Sequence, residues 1–276
     1  PLPVQKRALK AHMCEMPRIA AFSDDLRDGL KGSVFKISDI GFVSGGNHRE
    51  ESIKSGVVGS IRHPQVDYKK VNYSEAPWSH APWQAINYVS CHDNHTLYDK
   101  LTLSRPDVDE NDVVSMAKLA LAVVLTSQGT PFLHAGSEML RTKQGEHNSY
   151  NLPDAINRVD WNWKVAHADV VGYVKNLIAL RKAHPAFRMT LADDVRANLT
   201  FKKVENGLIS YQIDNHANSD PWQSIHVVYN AKPSQIEYCL EGQWRVAVLG
   251  NDFDGTKTIV ESVDIPKLSM MILFRD

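Results

Sequence analysis

His92-Asp93-Asn94 sets an imidazole, a carboxylate and an amide in a row. Just upstream, Ile86, Tyr88 and Val89 are β-formers bounded by polar residues and predict a short strand. A carboxylate beside an imidazole at the carboxyl end of a buried strand points to a site rather than to packing. The local pattern leaves a second reading open, a polar loop that only caps the next helix, because Asp and Asn are common there. Metal chemistry is not expected: His92 and His95 can share a helical face, but no further His or Cys falls at ligand spacing. Asp24 and Asp25 are further acid candidates, yet Ser23-Asp24-Asp25 ahead of a helical turn reads as a helix start.

The elements that must carry these residues follow a βα rhythm. A short strand is predicted over 18–22 and a helix start after it. Gly41 to Gly46 reads as a loop, and 50–61 as a helix with Ile53, Val57 and Val58 on one side. The stretch 63–83 carries Pro64, Pro77 and Pro82 and reads as irregular. Residues 112–127 are apolar nearly all round, which predicts a helix buried on several sides and ended by Gly129. A strand with a tight exit follows over 131–136, then a long polar loop over 141–160. Helix, glycine, strand and polar loop in that order suggest a parallel sheet. Residues 170–182 form an amphipathic helix that Ala183-His184-Pro185 stops. From about Met189 the character changes to short β-rich runs, at 199–204, 208–213, 224–229, 236–240, 244–249, 258–263 and 269–274. Asn206-Gly207 is a hairpin turn signal, and strands at this spacing argue for a sandwich. The division expected is therefore 1–188, α/β, and 189–276, all-β, with a ragged amphipathic lead-in at 1–16 that includes Leu2, Val4, Leu9 and Met13.

Composition bounds the function classes. The chain has 276 residues, 43% of them hydrophobic, enough for one large core or two smaller ones. With 31 basic against 32 acidic residues there is no sign of a polyanion-binding surface, so nucleic acid is not an expected partner. The most apolar run, 119–125, is too short for a membrane span. Pro1-Leu2-Pro3 has neither the charged nor the apolar region of a signal peptide, and a start without Met suggests a processed or excised piece. Cys14, Cys91 and Cys239 are odd in number and widely spaced, which argues against a disulfide framework. The compartment is not legible from these features.

The run from Asn87 to Leu101, N-Y-V-S-C-H-D-N-H-T-L-Y-D-K-L, resembles the segment that ends the seventh barrel strand in α-amylase-superfamily glycoside hydrolases. With Asn94 after the Asp, and Thr96-Leu97 ahead of Asp99-Lys100-Leu101, it looks like the type I pullulanase version; isoamylase-type enzymes usually have Gly where Asn94 stands. Residues 18–32 resemble the sixth strand and its helix start, 131–136 the eighth strand, and 177–187 the closing barrel helix. Asn148 to Asp154 and Asn157 to Trp161 resemble the loop that reaches over the bound sugar. The implied fold is the last strands and helices of a (β/α)8 TIM barrel, strands six to eight, followed by a C-terminal β-sandwich. The implied reaction is hydrolysis of α-1,6 glucosidic bonds in pullulan and branched dextrins by a retaining mechanism.

In that reaction two carboxylates about 5 Å apart act as nucleophile and acid/base. The resemblance implies that Asp93 is a third acid that stabilises the oxocarbenium-like transition state. His92 would bind the same hydroxyls, with Asn94, Asn148, Tyr150, Asn151 and Asp154 as further substrate contacts; Trp78 and Trp83 would either stack on sugar rings or anchor loops. The family's G-F-R-x-D nucleophile string and G-E-x-W acid/base string do not occur; Glu15 and Glu138 lie outside both patterns. The chain alone is therefore expected to be inactive, and an N-terminal portion carrying the earlier strands is the expected partner, besides the α-glucan substrate. Three strands cannot close a barrel and would leave sheet edges open. No cofactor is required by such chemistry, and a structural calcium on loop carboxylates is possible but not placed. Two rivals stay open: a non-catalytic carbohydrate-binding or structural module, and an α-1,4-acting amylase or neopullulanase.

Overall fold

A computed structural model describes residues 3–4, 7–259 and 261–276. Leu2 of the expected lead-in, and Val260 within the expected strand 258–263, lie outside the described residues. The first half contains a three-stranded parallel sheet, β1 (Ala21–Phe22), β2 (Ala85–Asn87) and β3 (Thr130–Pro131), in that spatial order. All three strands are shorter than the sequence suggests. Hydrogen-bonded pairing stops where Tyr88 and Phe132 turn to side-chain contacts, and β1 and β3 each have one neighbour.

Helices α1 (Asp24–Lys31) and α2 (Glu50–Val57) lie between β1 and β2; α3 (Leu97–Ser104) and α4 (Glu110–Thr126) lie between β2 and β3. Three more, α5 (Asp154–Asn157), α6 (Asn162–Ala166) and α7 (Ala168–Ala183), follow β3. α1 starts as its sequence dictates: the Ser23 hydroxyl accepts from the Leu26 amide, and Asp24 and Asp25 occupy the first turn. α4 is buried almost throughout, as its unbroken apolar composition requires. Its exposed-carbonyl end is closed from outside the helix. The Arg181 guanidinium of α7 donates to the carbonyls of Leu125 (2.9 Å), Ser127 (2.7 Å) and Gly129 (2.7 Å). Gly129 itself sits at φ +93°, where a Cβ would lie 2.8 Å from the Ala85 carbonyl oxygen, so only glycine fits between α4 and β3.

After α8 (Ala192–Asn198) the chain is all-β: β4 (Leu199–Glu205), β5 (Leu208–Ile213), β6 (Ser224–Asn230), β7 (Ile236–Cys239), β8 (Trp244–Leu249), β9 (Thr258–Ile259), β10 (Ser262–Ile265) and β11 (Ser269–Arg275). A six-stranded sheet runs β4-β5-β6-β11-β8-β9, and β10 pairs with β7 in a second, two-stranded sheet. The β4–β5 hairpin turns at Asn206-Gly207, with Gly207 at φ +73°. The single strand expected over 258–263 is instead two. Ile259 pairs with β8 and Val263 with β7, and both side chains fill the slot between the sheets from opposite walls.

The six-stranded sheet is buried on both faces. Leu208, Val228, Met271 and Leu273 point into the slot against Tyr238, Val263 and Ile265. The alternate residues Ile209, Tyr211, Ile225, Val227, Tyr229, Ile272 and Phe274 join the apolar cluster of α4 and α7. Tyr229 and Tyr211 complete this join with polar contacts, 2.6 Å to the Thr126 hydroxyl and 2.8 Å to the Thr126 carbonyl. One core thus crosses the junction between the helical and the all-β halves.

Candidate functional site

Parallel pairing brings the carboxyl ends of β1, β2 and β3 to one side of the sheet, and the polar segments that follow them meet there. Asn87 fixes β2 from beneath: its buried amide donates to the Gly56 carbonyl (2.9 Å) and the Gln128 carbonyl (2.8 Å). Tyr88 follows, wedged edge-on against Phe22 with ring centroids 4.8 Å apart, its hydroxyl donating to Asp24 at 2.7 Å. His92 and Asp93 then emerge into solvent, with side chains 85% and 74% exposed and 3.4 Å apart. Asn94 takes φ +63°, a region that glycine enters freely and Asn enters more readily than other residues.

The residues behind this turn have structural work. Thr96 caps α3, its hydroxyl accepting from the Asp99 amide at 3.1 Å. The buried Lys100 ammonium donates to the carbonyls of Lys36, Ile37 and Asp39 at 2.8, 2.9 and 2.8 Å, tying down the loop after α1. Asp99 reaches the other way. Its carboxylate accepts from the Thr142 hydroxyl and from the Lys143 amide (2.7 Å), pinning the start of the 141–160 loop. The Lys143 ammonium donates back to the His92 carbonyl at 3.0 Å.

The loop is held from within by Asn157. Its amide donates to the carbonyls of Ser149 (2.6 Å) and Leu152 (2.9 Å), its side-chain oxygen accepts from the Ser149 hydroxyl (2.8 Å), and its backbone carbonyl accepts from Arg141. With the backbone clasped, Asn148, Tyr150, Asn151 and Asp154 all stand exposed, Tyr150 at 83%. Among the described residues none of their four side chains makes a hydrogen bond, so their polar groups are free for a ligand. Asp154 also opens the short helix α5.

Basic side chains with depressed pKa values gather behind Asp93. Burial, with Arg141 and Lys143 next, pushes the His134 imidazole down to about 4, so it is neutral at pH 7. Lys31 is 1% exposed and is pushed down to about 7 by burial and by Arg27. His95 stands 5.6 Å, ring to ring, from His147; burial and that neighbour lower its pKa. Sequence reasoning missed Lys31, Lys143, His134 and Asn157. A lone lysine or histidine, at the end of a helix like Lys31 or in a loop like Lys143 and His134, carries no periodic signal, and Asn157 stands out in the sequence only as part of a longer match.

The other candidates are structurally engaged. Asp24 pairs with Lys10 (2.9 Å) and Arg27 (3.0 Å); burial raises its pKa, but hydrogen bonds from Lys10 and Tyr88 outweigh this and hold it below the usual range. Asp25 accepts from the Tyr73 amide (2.9 Å) and the Ser74 amide (3.1 Å). Glu138 accepts from the Gly136 amide at 2.9 Å, and Glu15 is exposed ahead of β1. Trp78 is a loop anchor, buried against Met13 and Ala85 with the Lys10 ammonium 5.2 Å over its ring. Trp83 lies beside Gly129 and Thr130 at the amino end of β2, the opposite end from Asp93. No group of three or more His, Cys, Asp or Glu among the described residues is arranged to hold a metal.

Comparison with known proteins bears on this arrangement. The family model of the pullulanase all-beta domain matches residues 195–252. Over 240 residues the chain is 38% identical to the pullulanase of Bacillus subtilis (strain 168), covering 87% of this chain and 32% of that protein. The chain therefore spans about a third of that curated relative's length. Among solved structures, the type I pullulanase of Bacillus subtilis str. 168 complexed with maltose superimposes with a TM-score of 0.93 at 34% identity, over 100% of this chain and 38% of that one. The Paenibacillus barengoltzii pullulanase in complex with maltohexaose and α-cyclodextrin gives a TM-score of 0.88 at 38% identity, over 99% of this chain and 41% of that one. Sequence and fold agree: the chain is a homologue of the type I pullulanases, matching their C-terminal portion.

Proposed function

We propose that this chain is the C-terminal part of a starch-debranching glycoside hydrolase that cleaves α-1,6-glucosidic bonds in pullulan and branched dextrins. The observation that carries the reading is an ionisable side chain, Asp93, standing exposed at the carboxyl end of β2 beside a pinned loop with four free polar side chains. β1, β2 and β3 are read as strands six to eight of a (β/α)8 barrel that ends at Arg188, and 189–276 as its sandwich. An upstream portion completes the sheet. In support, β1 and β3 each have an open edge, and Phe22 leaves 39% of its surface uncovered on the sheet face it shares with Tyr88 and Phe132.

On this reading the upstream portion supplies nucleophile and acid/base, and the bond is broken with retention through a glycosyl-enzyme intermediate. Asp93 faces the anomeric carbon as positive charge develops and holds adjacent hydroxyls together with His92 and Asn94. Asn148, Tyr150, Asn151 and Asp154 bind sugar from the loop. The chemistry uses no cofactor. The test is reconstitution. The purified chain is expected to release no maltotriose from pullulan, and joining or adding the upstream portion is expected to restore release. Panose as the product would favour an α-1,4-acting enzyme instead, and submillimolar maltooligosaccharide binding by the chain alone would favour a binding module.

A further inference from the structure

The turn that carries Asp93 is held by very little. Among the described residues, the one hydrogen bond tying 91–95 to another segment is that from the Lys143 ammonium to the His92 carbonyl, 3.0 Å. The same residue is fixed at its other end, because its amide donates to Asp99 at 2.7 Å and Thr142 donates to the second oxygen of that carboxylate. We propose that Lys143 is a positioning residue that locks the Asp93 turn and the sugar-binding loop into one register, so that a glucosyl unit held by the loop meets Asp93 at a set distance. This rests on the functional reading above and adds to it the device that couples the two halves of the site.

The physical argument is one of restraint. Among the described residues the Asp93 side chain, 74% exposed, forms an ion pair with His92 alone and accepts no hydrogen bond from another segment, so it does not fix its own height. A charge-assisted bond from a buried ammonium to the carbonyl one residue earlier can, since bonds of this class are stronger than neutral ones. The titratable groups facing Lys143 are Arg141 on its own loop, Asp93 and Cys91 at the exit of β2, Asp99 on α3 and His134 at the exit of β3. Burial lowers the lysine's pKa, Arg141 adds to this, and the carboxylates oppose it. Its positive charge is therefore lost at a lower pH than that of a solvent-exposed lysine.

The experiment compares Lys143→Met and Lys143→Arg, each with and without Asp93→Asn, in the chain joined to its upstream portion and with pullulan as substrate. Lys143→Met is expected to lower kcat at least tenfold with KM changed less than threefold, because Asp99 and Asn157 still hold the loop. Lys143→Arg is expected to recover most of kcat and to move the alkaline limb of the pH profile upward. In the Asp93→Asn background Lys143→Met is expected to add little, the non-additivity of two residues acting through one interaction. An unchanged kcat in Lys143→Met, or full additivity with Asp93→Asn, overturns the proposal. Near-normal turnover in Asp93→Asn alone overturns the functional reading instead.

Discussion

At the residue scale the site divides labour between side chains that face outward and side chains that hold them. Asp93 faces outward, and its proposed contribution is to the transition state. Asp93→Asn keeps the shape and removes the charge, so kcat on pullulan in the complete enzyme is expected to fall about 10²–10³-fold, equivalent to several kcal/mol. The melting temperature should barely move, because the side chain is exposed and its one ion pair among the described residues is with its neighbour His92. Asn157 is the converse case. Asn157→Ala removes three side-chain hydrogen bonds that clasp the loop, and is expected to raise KM severalfold while leaving kcat closer to normal. Steady-state kinetics on the two variants separate the roles.

At the element scale, the carboxyl end of α4 shows how one buried cation can organise several segments. Arg181 satisfies carbonyls on the helix, on its exit and on the glycine before β3, and burial pushes its own pKa down to about 10. Arg181→Met fills similar space but leaves those carbonyls without a donor, which is expected to destabilise the fold by about 2–4 kcal/mol in urea denaturation. The strands are the instructive counterexample. β2 and β3 were legible in the sequence as β-formers flanked by turn residues, yet the strands are only three and two residues long. Ladder length depends on what lies alongside, and local propensity does not carry that information.

At the scale of the whole molecule, two imidazoles, the buried His226 and the half-buried His134, make stability depend on pH. Burial pushes His226 and His134 each down to about 4 from an ordinary 6.5, with Lys202 next for His226 and Arg141 next for His134. The unfolded chain therefore takes up protons first as pH falls. Stability from these groups is complete above about 6.5 and is lost progressively down to about 4. The melting temperature is expected to drop across that interval, and the drop should be shallower in His226→Gln, whose side chain does not titrate. Because β5, β6 and β11 share a core with α4, unfolding of both halves should coincide by near- and far-ultraviolet circular dichroism.

The sequence by itself determined the kind of the longer elements and the hairpin at Asn206-Gly207, and singled out Asp93 as a candidate acid; it did not show α5 within the expected loop or α8 within the stretch expected to be all-β from Met189. The features it determined rest on local chemistry: the 3.6 and 2.0 periodicities, the φ that Gly and Asn accept, and a polar triplet at a strand end. Only the tertiary structure decided which polar residues were engaged and which were free. Asp25, Asp99 and Lys100 carry the same charges as exposed residues, and nothing in their neighbours along the chain shows that each closes on backbone groups of a distant loop. It also decided that the two halves share one core and that 258–263 splits between two sheets. Such outcomes come from which segments are brought together over long separations in sequence, where the free energy lies in packing and paired polar groups rather than in any single residue's preference.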